Sequence, residues 1–150
     1  MIATQPKQKE LSLGFIGVGW IGRNRMQAIL QHIKTGKIAL TEPAEENAEQ
    51  ALKDAGKGVL VDSPEEICEA PDLDGIVIAT PSALHAQQSI TALKAGKAVF
   101  CQKPLGRTAS EVKEVVAASK KMDKLLAVDL SYRYTNAFRA VYDVIQKGEI

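Results

Sequence analysis

Leu13-Gly14-Phe15-Ile16-Gly17-Val18-Gly19-Trp20-Ile21-Gly22-Arg23 is the stretch that decides how the rest of the chain is read. An apolar run passes into G-x-G-x-x-G and then into a segment with helical periodicity, so it predicts a strand turning sharply into a helix. Each glycine then has its own task. Gly17 permits the tight turn, Gly19 lets the backbone approach a pyrophosphate, and Gly22 lets the helix pack closely on the sheet. Trp20 and Ile21 fall at the helix start, where free amides and the dipole favour an anion. A glycine-rich turn would also satisfy so short a pattern, so its weight depends on its surroundings.

Those surroundings repeat one plan. Further apolar runs of strand length lie at 37–40, 58–61, 75–80, 97–101 and 125–130. They are apolar on consecutive rather than alternate residues, which suits strands buried on both faces of a parallel sheet. Helix-period segments at 21–33, 43–55, 84–95 and 110–122 lie between most of them. Alternating strands and helices with crossovers of this length predict an α/β fold with a doubly wound, mainly parallel sheet. Gly36-Lys37, Gly56-Lys57 and Gly96-Lys97 each read as a left-handed glycine closing a helix before the next strand. The same punctuation returns at Lys147-Gly148, after a helix-period segment at 137–145. A further strand is therefore expected beyond residue 150, making this the N-terminal part of a longer protein; a frayed last helix is the plainer alternative.

Composition removes several functions. The 150 residues carry 19 basic and 18 acidic side chains, a formal charge of +1, with the lysines scattered. Nucleic acid is not the expected partner, because neutralising phosphates needs clustered cations. No apolar stretch approaches the roughly 20 residues of a membrane span, and the opening MIATQPKQKELSLGF has no leader-like apolar core, so no membrane association and a cytoplasmic location are expected. Cys68, Cys101, His32 and His85 show no metal-ligand spacing, so no metal site is expected. The two cysteines read as reduced thiols, with Cys101 a small core residue.

Candidate site residues fall at the predicted carboxyl ends of strands, where doubly wound sheets bind ligands. Glu42 ends the second run and is placed to accept hydrogen bonds from an adenosine ribose, favouring NAD and leaving NADP as the alternative. Glu45 and Glu46 instead read as acidic residues of a helix's first turn. Thr80, Pro81 and Ser82 end the fourth run and should border the cofactor. His85, in the first turn of the next helix, reads equally as a site residue or as a helix-terminus ring with satisfied nitrogens. Gln102 and Lys103 end the fifth run, followed by Pro104. A lysine there can act as general acid or base near a nicotinamide, although spacing alone favours a surface lysine.

Taken together, GFIGVGWIGR at 14–23, Glu42-Pro43, DGIVIATPSALH at 74–85, AGKAVFCQKPLG at 95–106 and VDLSYRYTNAFRAVYDVIQKGEI at 128–150 resemble the Gfo/Idh/MocA oxidoreductases, named for glucose-fructose oxidoreductase and inositol dehydrogenase. The resemblance covers essentially the whole chain. It implies a Rossmann dinucleotide-binding domain followed by a C-terminal α/β domain that supplies most of the substrate pocket, a second catalytic histidine and the interface of a homo-oligomer. It also implies hydride transfer between a nicotinamide dinucleotide and a sugar, inositol or related polyhydroxylated substrate, with Lys103 as the catalytic lysine of a Glu-Lys-Pro motif. The isolated domain is expected to bind cofactor without turning over. Gln102 departs from the motif glutamate, keeping an acceptor while losing a negative charge beside Lys103. Asn136 departs from a common proline, while Arg133 matches. A non-catalytic NAD(P)-binding sensor or inactive relative is the competing reading, and a complete single-domain nucleotide-binding protein is a third.

Overall fold

A computed structural model describes residues 10–150. The reading of the chain's first residues as leader-free falls largely on 1–9, outside the described residues. Six strands, β1 (Leu11–Ile16), β2 (Thr35–Thr41), β3 (Gly58–Leu60), β4 (Gly75–Ile78), β5 (Ala98–Gln102) and β6 (Leu126–Asp129), form one sheet. All its pairings are parallel and the order is β3-β2-β1-β4-β5-β6. The order reverses between β1 and β4, which is where a doubly wound sheet opens a crevice at its carboxyl edge.

Consecutive apolar residues in these strands serve opposite faces, because successive side chains of a strand alternate. Phe15 and Val77 join Met26 of α1 (Trp20–His32) and Ala51 of α2 (Glu45–Ala55) in one core layer. Their neighbours Ile16 and Ile78 join the other layer, with Ile67 of α3 (Pro64–Glu69), Leu93 of α4 (Ser82–Lys94) and Val115 of α5 (Ala109–Met122). A short 3-10 turn at Ser131–Tyr134 then leads into α6 (Asn136–Gln146), none of whose residues is buried.

Three expectations need correction. The run at 58–61 is not buried on both faces: β3 is a short edge strand, and Val59 and Leu60 are nearly half exposed. Gly36 does not close α1; it lies inside β2, and among these glycines the left-handed positions are Gly56, Gly96 and Gly148. Gly36 instead lies close to Ser12: a Cβ there would meet Ser12 Oγ at 2.8 Å and turn that hydroxyl away from the Lys37 amide it accepts. Helix α3 has no counterpart in the sequence periodicity. Its six residues are too few to show a period, yet Ser63 caps it by accepting the Glu66 amide at 3.2 Å, with Pro64 in the first turn.

The lysine after each glycine has work that the punctuation alone did not reveal. Lys97 is 6% exposed, and its ammonium donates to the Ala70 and Leu73 carbonyls at the end of α3 and the turn beyond it. Lys97→Met takes the donor from the buried Leu73 carbonyl and leaves the Ala70 carbonyl with only the 3.4 Å bond from the Leu73 amide, and a loss of about 1–3 kcal/mol is expected from urea unfolding. A loss under about 0.5 kcal/mol, the scale of an ordinary surface substitution, would show that water replaces the ammonium without penalty.

Candidate dinucleotide and proton-transfer site

Parallel register fixes what meets at the carboxyl edge. Ile16 pairs with Thr41 and with Ile78, Ile78 pairs with Cys101, and Gln102 pairs with Asp129. The next residues along the chain, Gly17, Glu42, Ala79 and Thr80, and Gln102 and Lys103, therefore emerge side by side. A cleft of about 810 Å³ opens there between the glycine loop, the ends of β2 and β3, and the β4–α4 loop.

The three glycines stand in three different surroundings. Gly17 has φ +82°, and a Cβ on it would lie 2.9 Å from the Thr80 nitrogen. A Cβ on Gly22 would stand 2.0 Å from the Gly17 carbonyl oxygen, because the first turn of α1 folds back onto the loop. Gly19 is different: the nearest atom to its built Cβ is Asn47 Nδ2 at 3.9 Å, so the space in front of it is open. Helix α1 begins immediately after Gly19, with no side-chain cap and no acidic residue in its first turn. Its amides are thus left for an anion. Trp20 is 74% exposed on the cleft rim, and Ile21 lines the cleft beside it.

Glu42 follows the last residue of β2. Its Oε2 accepts the Val18 amide at 2.9 Å and its Oε1 accepts the Ala44 amide at 3.2 Å. The carboxylate therefore braces the glycine loop while lining the cleft, and each oxygen retains a lone pair for a ribose hydroxyl. Thr80 and Pro81 form the opposite wall, with Thr80 Oγ1 donating to Gln88 Oε1 at 2.6 Å. Ser82 is the first residue of α4, exposed and outside the cleft lining.

His85 lies under the surface and is not among the residues lining the cleft. It is 1% exposed, with Nδ1 2.7 Å from the Pro104 carbonyl oxygen and Nε2 2.7 Å from that of Thr80. Both ring nitrogens face backbone carbonyl oxygens, the tautomer deciding which oxygen receives the N–H, and the ring sits between the loop after β4 and the loop after β5. Lys103 is exposed at the head of that second loop, and its ammonium has no hydrogen-bond or ion-pair partner among the described residues. The Lys103–Pro104 peptide is cis. Arg107 closes the loop, its side chain bonded to Glu111, and the guanidinium holds that carboxyl below its ordinary range.

Sequence reasoning missed the far end of the cleft, where Pro43, Leu60, Val61 and Pro64 make an apolar floor with Asp62 beside it. These residues suit a flat heterocycle. The signal was the strand order itself, since the end of β3 must lie next to that of β2. Among the described residues there is no group of three or more potential metal ligands, and no helix is long and apolar enough to cross a membrane. Burial pushes the thiols of Cys68 and Cys101 up to about 11, so neither is a reactive nucleophile.

Residues 11–130 match the model of the GFO_IDH_MocA oxidoreductase family, described as an NAD-binding Rossmann fold. The chain belongs to this family. An inositol 2-dehydrogenase from Acidiphilium cryptum is 33% identical over 139 residues, covering 91% of this chain and 41% of the relative. A 1,5-anhydro-D-fructose reductase from Ensifer adhaerens is 30% identical over 137 residues, with the same coverage of 91% and 41%. The crystal structure of a myo-inositol 2-dehydrogenase from Lactobacillus plantarum superposes with TM-score 0.83 at 25% identity, covering 95% of this chain and 42% of that one. This member of the family thus spans about two fifths of the length of the relatives it matches, and the part it spans is their NAD-binding Rossmann domain.

Proposed function

We propose that the chain is the NAD(P)-binding half of an oxidoreductase that passes hydride between a nicotinamide and a sugar, inositol or related polyol, with NAD preferred over NADP. The observation that carries this reading is the alignment of the open Gly19 turn, the Glu42 carboxylate and the Gln102-Lys103 strand end along one sheet edge. The α1 amides would hold the pyrophosphate, Glu42 the adenosine ribose, and the apolar floor at Leu60 and Pro64 the adenine. A bound nicotinamide supplies the hydride acceptor. Lys103, unpaired at the end of β5, would exchange the proton of the substrate hydroxyl.

Substrate would be enclosed by a second α/β domain that also assembles the homo-oligomer. Support comes from the relatives' greater length and from α6, which presents Phe138, Val141, Tyr142 and Ile145 at least half exposed on a helix with no buried residue. A cytoplasmic location accords with the two free cysteines.

Gly19→Val tests the cofactor site cleanly. The backbone at Gly19 is extended and the space for a Cβ is open, so the variant should fold, losing no more than about 1 kcal/mol for a poorer helix cap. Calorimetric titration should show NAD binding tighter than NADP in the unmodified chain and no measurable binding of either in the variant. Equal binding by the variant would remove the glycine turn from the site.

A further inference from the structure

The peptide that carries Lys103 is gripped through the side chain before it. Register places Gln102 opposite Asp129 across the β5–β6 pairing. Gln102 Nε2 donates to Asp129 Oδ2 at 3.1 Å, while Gln102 Oε1 accepts the Lys103 backbone N–H at 2.7 Å. Asp129 is 6% exposed, and the same Oδ2 accepts from Arg25 Nε of α1. Arg25 also reaches Ser131 Oγ through Nη2 at 3.4 Å. A carboxylate withdrawn from water needs a cation and donors, and Arg25 and Gln102 supply them.

The chemistry of position 102 follows from this arrangement. One end of the side chain must donate, to Asp129, and the other must accept, from the Lys103 amide. An amide does both, and an ionised carboxylate cannot. A glutamate would serve the Lys103 amide and set its second oxygen against Asp129, two carboxylates at hydrogen-bond range. Past the lysine, the Pro104 carbonyl oxygen lies 2.7 Å from His85 Nδ1. The backbone on either side of the lysine is therefore tied to the body of the domain, one end through β6 and α1, the other through α4.

We propose that Asp129 and Arg25 are positioning residues for Lys103, acting through the Gln102 amide, and that glutamine at 102 is matched to the carboxylate at 129. The positioning role rests on the proton-transfer reading of Lys103 given above; the Gln102–Asp129 link itself does not.

The test is a double-mutant cycle of Gln102→Met, Asp129→Leu and the two combined. Each single change removes the Gln102–Asp129 hydrogen bond outright, because methionine offers no donor to Asp129 Oδ2 and leucine no acceptor to Gln102 Nε2. Two readouts are taken: hydrogen exchange of the Lys103 amide in this chain, and kcat and KM for polyol oxidation in the full-length protein. Each single change should speed Lys103 amide exchange and lower kcat by about tenfold, with KM little altered, and the double should lose no more than the worse single variant. Thermal midpoints control for folding, and Gln102→Met, which leaves the Arg25–Asp129 pair in place, keeps the test readable should Asp129→Leu be unstable: its kcat loss without a KM change supports the role, and unchanged kcat overturns it. Additive losses in the double, with turnover intact in the parent, would overturn the link while leaving the reaction standing. Coupled exchange in a parent with no turnover would overturn the reaction, and the positioning role with it.

Discussion

Replacing Lys103 by methionine in the full-length protein is expected to lower kcat for polyol oxidation by about 10²–10⁴-fold, the usual worth of a positioned proton-transfer group. NAD affinity and stability should stay near their unmodified values. The asymmetry follows from where the lysine sits. It is exposed, its ammonium has no partner among the described residues, and it lies outside the cleft between the glycine loop and Thr80. Removing it breaks no internal bond and takes nothing from the wall that would hold the adenosine and pyrophosphate. Methionine keeps the length and apolar stem of the side chain, so a loss confined to kcat reports the missing proton carrier. Steady-state kinetics with NAD and a polyol, paired with calorimetry, separate the two effects, and unchanged turnover would strip Lys103 of its role.

How much of this was written in the sequence depends on how local each feature is. The glycine turn, Glu42 and the strand end at Gln102 were legible because each is a short pattern at a junction between periods, and their convergence follows from parallel topology. Helix α3 was hidden by its length, and only the cap at Ser63 with Pro64 after it marked the start. Gly36 looked like Gly56 and Gly96, yet its glycine answers a neighbouring strand, since Ser12 crowds the place where a Cβ would stand. His85 reads two ways in the sequence because burial depends on what α4 packs against, and its approach to Pro104 spans 19 residues. The Gln102–Asp129 contact is more distant still, 27 residues apart, and exists only through the β5–β6 register. Gln102 could be flagged as a departure from a motif, but what it touches could not be read.

Gly22→Ala is expected to have the opposite signature to Gly19→Val in the same loop, losing about 3 kcal/mol or more of stability and, with it, NAD binding. The added methyl would have to sit 2.0 Å from the Gly17 carbonyl oxygen and 3.0 Å from its carbon, and both are backbone atoms that no rotamer change can move aside. Relief requires either lifting α1 from β1 or shifting Gly17. The first opens the layer in which Met26 packs with Phe15 and Val18. The second drives Gly17 toward Thr80, whose nitrogen already leaves no room for a side chain there. Either movement also displaces Val18, whose amide is the group that Glu42 holds. A single methyl thus reaches the core, the turn and the Glu42 carboxylate together, and the loss of affinity should track the loss of stability. Urea unfolding and NAD titration of the two glycine variants side by side measure the contrast. If Gly22→Ala kept its stability and lost only affinity, the close contact between the first turn of α1 and Gly17 would not exist in solution, and the third glycine would owe its place to the ligand rather than to the packing of helix on strand.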